Sequence, residues 1–145
     1  SSLEEVEKAI QAAQTNGCQQ IGVFHCISSY PTPIEEANLK MITILREKFN
    51  VQVGLSDHTK GATASIVATG LGATLIEKHF TIDKTLPKSA DHWLSLDPGE
   101  LAKLVRETKI IKQSIGTGVK ECLKCEQLAK KNARRIEVNV PALWL

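Results

Sequence analysis

Apolar residues recur at helical spacing in four stretches of this chain. Leu3, Val6, Ile10 and Ala13 form one stripe, and Leu39, Ile42, Leu45 and Phe49 form a second. Ala64, Val67, Ala68 and Leu71 form a third; Leu101, Leu104, Val105, Thr108 and Ile111 form a fourth. Three helix starts carry a capping residue followed three positions later by glutamate: Ser2 with Glu5, Thr32 with Glu35, and Asp97 with Glu100. In such a box the two side chains satisfy each other's free backbone N–H groups. Pro33 and Pro98 fall at the first helical position, where a missing N–H costs nothing. The remaining helix has no box and is expected to begin near Gly61. Gly17, Gly72 and Gly116 stand where helices should stop.

Between these stripes lie short runs, 20–28, 51–56 and 74–80, whose apolar content is nearly continuous, as expected of strands covered on both faces. The order is helix, strand, helix, strand, helix, strand, helix. That alternation predicts an α/β fold with a parallel sheet and right-handed crossovers. In such sheets chemistry gathers at the carboxyl ends of the strands, and this chain places its polar motifs there.

Period-two geometry puts Gly54, Ser56 and His58 on one face of the second strand, and Leu75, Glu77 and His79 on one face of the third. Cys26 and Ser28 point together on the first, with Tyr30 just past its end. If these faces point inward, Ser28, Ser56, His58, Glu77 and His79 converge on one pocket. Neighbouring strands lie ~4.8 Å apart, so two imidazoles at the same level can engage one divalent ion.

Composition adds mainly exclusions. Apolar residues make up 42% of the 145 positions and charged residues 23%, an ordinary globular balance. The net charge of +2 is too small for a nucleic-acid footprint, and no apolar run approaches the length of a membrane helix. The opening residues follow an acidic helix pattern rather than a signal peptide, and the expected compartment is the cytoplasm. Cys18 and Cys26 are expected to behave as small apolar residues in or beside a buried strand. Cys122 and Cys125 form a lone C-x-x-C with no second pair to complete a zinc site, and read as a surface-loop pair. His25 is expected to point away from the pocket. His92 is expected either to orient Asp91 or to cap its loop, and Trp93 to pack that loop.

Four segments together resemble the sialic acid synthase family, which includes N-acetylneuraminate synthases and their legionaminic, pseudaminic and spore-coat polysaccharide relatives. They are H-C-I-S-S-Y-P-T-P from His25, G-L-S-D-H-T-K-G from Gly54, G-A-T-L-I-E-K-H-F-T from Gly72 and A-D-H-W-L-S-L-D-P from Ala90. The resemblance runs from about Ser2 to Ile115. It implies a (β/α)8 barrel that condenses phosphoenolpyruvate with an N-acetylated amino sugar such as N-acetylmannosamine, aided by Mn²⁺ or Mg²⁺. It implies that His58 and His79 match the metal-binding histidines and Ser56 a residue holding the phosphate of phosphoenolpyruvate. Ser28 falls at a substrate-binding position, Tyr30 matches a tyrosine near the sugar, Asp91 an acid beside metal and substrate, and Glu77 keeps its place before the metal histidine. His58, His79 and Asp91 are thus the candidate catalytic residues; Ser28, Tyr30, Ser56 and Glu77 are the candidate substrate contacts. One departure stands at Pro87, where many members have P-G-x-D-H and this chain has P-K-S-A-D-H.

A full barrel takes ~250 residues and eight strands, and this sequence offers three. The expectation is therefore the C-terminal part of a barrel: 1–115 as partial synthase domain, and 116–145 as a linker with the start of a following domain, including a strand over 133–140. Lys60, Lys78 and Lys84 do not match the family's substrate-contacting lysines. The chain alone is expected to be inactive or nearly so, and to associate through open strand edges, as a homo-oligomer or otherwise. Two other classes stay open on the residues: a metal-dependent barrel hydrolase, and a non-catalytic interaction module.

Overall fold

The computed structural model describes residues 1–87 and 91–133. Among the described residues five α-helices and three strands follow one another: α1 (Leu3–Thr15), β1 (Gly22–Cys26), α2 (Met41–Phe49), β2 (Gln52–Asp57), α3 (Thr63–Gly70), β3 (Leu75–Lys78), α4 (Pro98–Ser114) and α5 (Gln127–Asn132). The strands form one parallel sheet in sequential order, β1-β2-β3. Register aligns Phe24, Gly54 and Leu75 across it, and two residues further on Cys26, Ser56 and Glu77.

The sheet has two unlike faces. On one, Val53 and Leu55 meet Ile42 and Leu45 of α2 and Ala64 and Ala68 of α3, with Ala73 closing the cluster. Leu3 and Val6 of α1 pack at its margin. The other face carries Phe24, Cys26, Gly54, Ser56, Leu75 and Glu77. No described element covers it, so Phe24 is 42% and Leu75 37% exposed. Burial on both faces therefore holds for the central strand only. β1 and β3 alternate between half-buried and exposed positions, because their outward residues have helices to pack on and their inward residues do not.

Two of the three capping boxes form. Ser2 accepts from the Glu5 N–H at 3.2 Å while the Ser2 N–H donates to the Glu5 carboxylate at 2.7 Å. Asp97 and Glu100 do the same at 2.8 and 3.0 Å. The Thr32 box does not form. Its hydroxyl donates instead to the carbonyls of Ile27 and Ser29, and Pro33 leads only into a single 3-10 turn, Ile34–Glu36. The helix proper begins at Met41, and Asn50 in the left-handed conformation ends it.

The third stripe is rotated from its expected setting. Ser65 is buried and Val67 is 45% exposed, because the Ser65 hydroxyl donates to the buried Asp57 carboxylate at 2.6 Å. At the end of α3, Gly72 has φ +100°, and a side chain there would also meet the Arg46 guanidinium. Cys18 and Cys26 are both exposed, contrary to the expected buried setting: Cys18 follows the turn after α1, and Cys26 faces the uncovered side. Within 116–132 the sequence pattern predicts only linker, yet Gln127–Asn132 is helical; its Leu, Ala and Lys are good helix formers, but every residue is exposed. The strand expected over 133–140 lies, from residue 134 on, outside the described residues. Among those described, no helix is long and apolar enough to cross a membrane.

Candidate active site

The three parallel strands end at the same edge of the sheet, and the chain places its rings there. His58 and His79 each follow the last paired residue of their strand, Asp57 and Lys78. Their ring centroids lie 5.3 Å apart, edge to face. Tyr30 packs against both, at 4.1 Å from His58 and 5.6 Å from His79.

His58 is held at three points. It is buried, its backbone carbonyl accepts from the Thr32 N–H at 2.9 Å, and its ring Nδ1 lies 2.9 Å from the Ile27 carbonyl oxygen. A carbonyl can only accept, so Nδ1 carries a proton, and in the neutral ring Nε2 holds the lone pair. Cys26 Sγ stands 3.9 Å from that Nδ1 and 3.9 Å from Ser28 Oγ, which joins Ser28 to the cluster.

His79 faces an acid across a short gap. Its Nδ1 is 3.8 Å from Asp91 Oδ2, beyond hydrogen-bond length but close enough for the carboxylate's charge to act on the ring. Asp91 is carried by a loop clamped to the end of β3. The Leu96 N–H donates to the His79 carbonyl and the Thr81 N–H to the Leu96 carbonyl, each at 2.9 Å. Ser95 Oγ donates to the Asp91 carbonyl at 2.7 Å, and His92 Nδ1 pairs with Thr81 Oγ1 at 2.9 Å. His92 thus fastens the loop to the strand end. Lys60 sits 4.7 Å from the Trp93 ring centre, a cation–π contact on the rim.

Ser28, Tyr30, His58, His79 and Asp91 therefore come together. Ser56 and Glu77 lie on the same face two residues earlier in their strands, paired in register beside Cys26. His25 turns to the opposite face, its Nε2 2.9 Å from the Ala37 carbonyl. Among the described residues no group of three or more His, Cys, Asp or Glu side chains is set to hold a metal ion. The two imidazoles form at most an open, two-donor site, with the Ile27 carbonyl fixing the tautomer of one ring, the usual arrangement for a ligating histidine.

Two features escape a reading of the sequence. One is the place of Cys26 in the cluster: its parity with Ser28 puts it on that face, but the expected set of converging residues omits it. The other is a buried ion pair on the far face, Lys78 Nζ to Asp57 Oδ2 at 3.1 Å, with both side chains at 3% exposure or less. Burial pushes the Lys78 amine below its ordinary range, and the adjacent Asp57 carboxylate opposes that shift.

Similarity to known proteins covers most of the chain. Residues 1–120 match the NeuB family. The chain is 39% identical over 150 residues to the N,N'-diacetyllegionaminic acid synthase of Campylobacter jejuni, spanning 95% of this chain and 45% of that protein. It is 34% identical over 145 residues to the N-acetylneuraminate-9-phosphate synthase of Mus musculus, spanning 97% and 39%. The structure superposes on the N-acetylneuraminic acid synthetase of Leptospira borgpetersenii, solved in complex with citrate, with a TM-score of 0.82 and 38% identity over 90% of this chain and 45% of that one. The chain thus spans less than half the length of these relatives. With an α/β fold on a parallel sheet in common, the chain belongs to the NeuB family, whose relatives include sialic, legionaminic and pseudaminic acid synthases and a spore coat polysaccharide biosynthesis protein.

Proposed function

We propose that this chain is the C-terminal part of a (β/α)8 barrel and supplies the aldehyde-activating half of its active site. The reaction is condensation of phosphoenolpyruvate with an N-acetylated amino sugar of the N-acetylmannosamine type, releasing phosphate. The observation that carries the reading is the His58–His79–Tyr30 cluster at the carboxyl ends of adjacent parallel strands. An interaction module has no use for two imidazoles held at that edge with one tautomer fixed.

Carbon 3 of phosphoenolpyruvate attacks the aldehyde carbon, water adds at carbon 2, and the bond from carbon 2 to the phosphate oxygen breaks as phosphate leaves. A divalent ion, Mn²⁺ or Mg²⁺, held by His58 and His79 with substrate and water, would act as Lewis acid toward the aldehyde oxygen. His58 contributes through Nε2, because its Nδ1 proton is committed to Ile27. Tyr30 walls the aldehyde side of the cluster. Asp91, 3.8 Å from His79, would accept a proton from the attacking water. Ser56 donates its hydroxyl to the phosphate, and Ser28 and Glu77 line the same face toward the substrates. The described residues leave one face of the sheet bare and the outer edges of β1 and β3 unpaired. Turnover requires further strands to cover them.

The test is phosphate release from phosphoenolpyruvate plus N-acetylmannosamine with Mn²⁺. The chain is assayed alone and refolded with the preceding half of a family relative. We expect no turnover alone, turnover in the mixture, and loss of that turnover on chelation and in His58→Ala and His79→Ala. Restored turnover that neither substitution lowers would overturn the assignment.

A further inference from the structure

The carboxyl edge of a parallel sheet is where the backbone ladder stops, so something else must set the distance between side chains beyond it. His58 and His79 are in that position: the last register pair is Asp57 with Lys78, and each histidine lies one residue past it. No ladder hydrogen bond fixes one ring relative to the other.

Apart from Tyr30, which packs on both rings, the contacts that connect the two strand ends come from the far face. Lys78 Nζ lies 3.1 Å from Asp57 Oδ2 and also donates to the Thr59 carbonyl. Asp57 Oδ1 accepts from the Thr59 N–H at 2.8 Å, and Asp57 Oδ2 accepts from Ser65 Oγ at 2.6 Å. The residue immediately before His79 therefore grips the residues on both sides of His58. Ser65, on α3, ties that grip to the helix layer. We infer that the buried Asp57–Lys78 pair positions the two histidines: it sets the separation and mutual tilt of their rings from behind the sheet, touching neither substrate nor ion.

Stability alone does not account for such a pair. A buried ion pair pays a desolvation penalty that its attraction often only balances, and uncharged replacements of similar volume are frequently neutral or stabilising. The expected signature is accordingly a change in ring geometry with little change in melting. The inference rests on the proposed function only in taking the two rings to work as a unit, and its main readout needs no metal.

In the full chain, the paired substitution Asp57→Asn with Lys78→Met removes both charges together. Its ring protons are compared with wild type by the nuclear Overhauser contact between His58 and His79, and Mn²⁺ binding is measured by titration calorimetry. We expect a cooperative melt close to wild type, a weakened or lost ring–ring contact, and Mn²⁺ affinity reduced about tenfold or more, the scale on which outer contacts to metal ligands act. A folded double variant with unchanged ring contact and unchanged affinity overturns the inference. If that variant does not fold, Ser65→Ala decides. Loss of one donor to Asp57 should displace the His58 and His79 ring resonances, and superimposable resonances reject the positioning role. Wild-type protein that shows the ring contact but no Mn²⁺ affinity sinks the proposed chemistry while leaving the positioning role standing.

Discussion

Gly54 is the position at which one added methyl group should cost most for its size. It lies at the centre of the uncovered face, between Phe24 on β1 and Leu75 on β3. A Cβ there would meet Phe24 Cε1 at 2.7 Å and the Leu75 Cβ and carbonyl oxygen at 2.8 Å each, where ordinary contact starts at 3.4 Å. Two of those neighbours are a backbone atom and a Cβ, so relief requires β2 and β3 to move apart by about 0.6 Å, a shift of the kind that costs ~1–3 kcal/mol in a packed region. Against this stands the smaller conformational freedom of alanine in the unfolded chain, worth ~0.4–1 kcal/mol. The net expectation for Gly54→Ala is a loss of about 1–2 kcal/mol, or a fall in Tm of about 2–8 °C for a chain of this size. Gly22→Ala is the matched control. It lies on the same face of the sheet, on β1, but its Cβ would come inside ordinary contact only with the tip of the Leu75 side chain, at 3.3 Å, and that tip can rotate away. It should therefore be neutral or slightly stabilising. Thermal melts of the two variants side by side cancel the general effect of replacing glycine. Gly54→Ala melting at or above Gly22→Ala would refute the steric reasoning, and with it the close spacing of strands beneath the histidines.

Two further expectations follow from burial and charge. Ile42→Ala, at a fully buried core position, should cost ~2–5 kcal/mol in urea unfolding, whereas Val67→Ala on the exposed side of α3 should stay within ~0.5 kcal/mol; similar losses at both would contradict the rotation of α3. Glu100 is held below its ordinary pKa of 4.5 by the Lys84 hydrogen bond and the Asp97 N–H, so it binds protons less readily folded than unfolded. Its stabilising contribution is therefore present above pH 4.5 and lost as the pH falls through the lower folded value. The Tm advantage of wild type over Glu100→Gln should shrink from pH 6 toward pH 3, and a gap independent of pH would count against it.

Local signals carried far in this chain. Stripes at helical spacing named α1, α2 and α4 and the buried Ile10, Ile42, Leu45 and Leu104, although Val105 of the fourth stripe is exposed, and two capping boxes formed as read, because a box involves only residues three apart. Thr32 shows the limit. Its local pattern suits a helix start, but the fold offers its hydroxyl two loop carbonyls and its N–H the carbonyl of His58. A tertiary partner outbid the local one. Val67 and Ser65 exchanged places for the same reason, since a buried carboxylate on β2 needed a donor.

By itself the sequence determined the order of elements, the parallel sheet and the residues at the strand ends, since periodicity and alternation depend on neighbours along the chain. Only the tertiary structure decided how those residues meet. It selected the His58 tautomer through Ile27, brought Tyr30 onto both rings, fastened the Asp91 loop through Thr81 and Leu96, and drew Lys78 onto both flanks of His58. Each of these depends on a contact between distant segments, and such contacts leave no period in the chain.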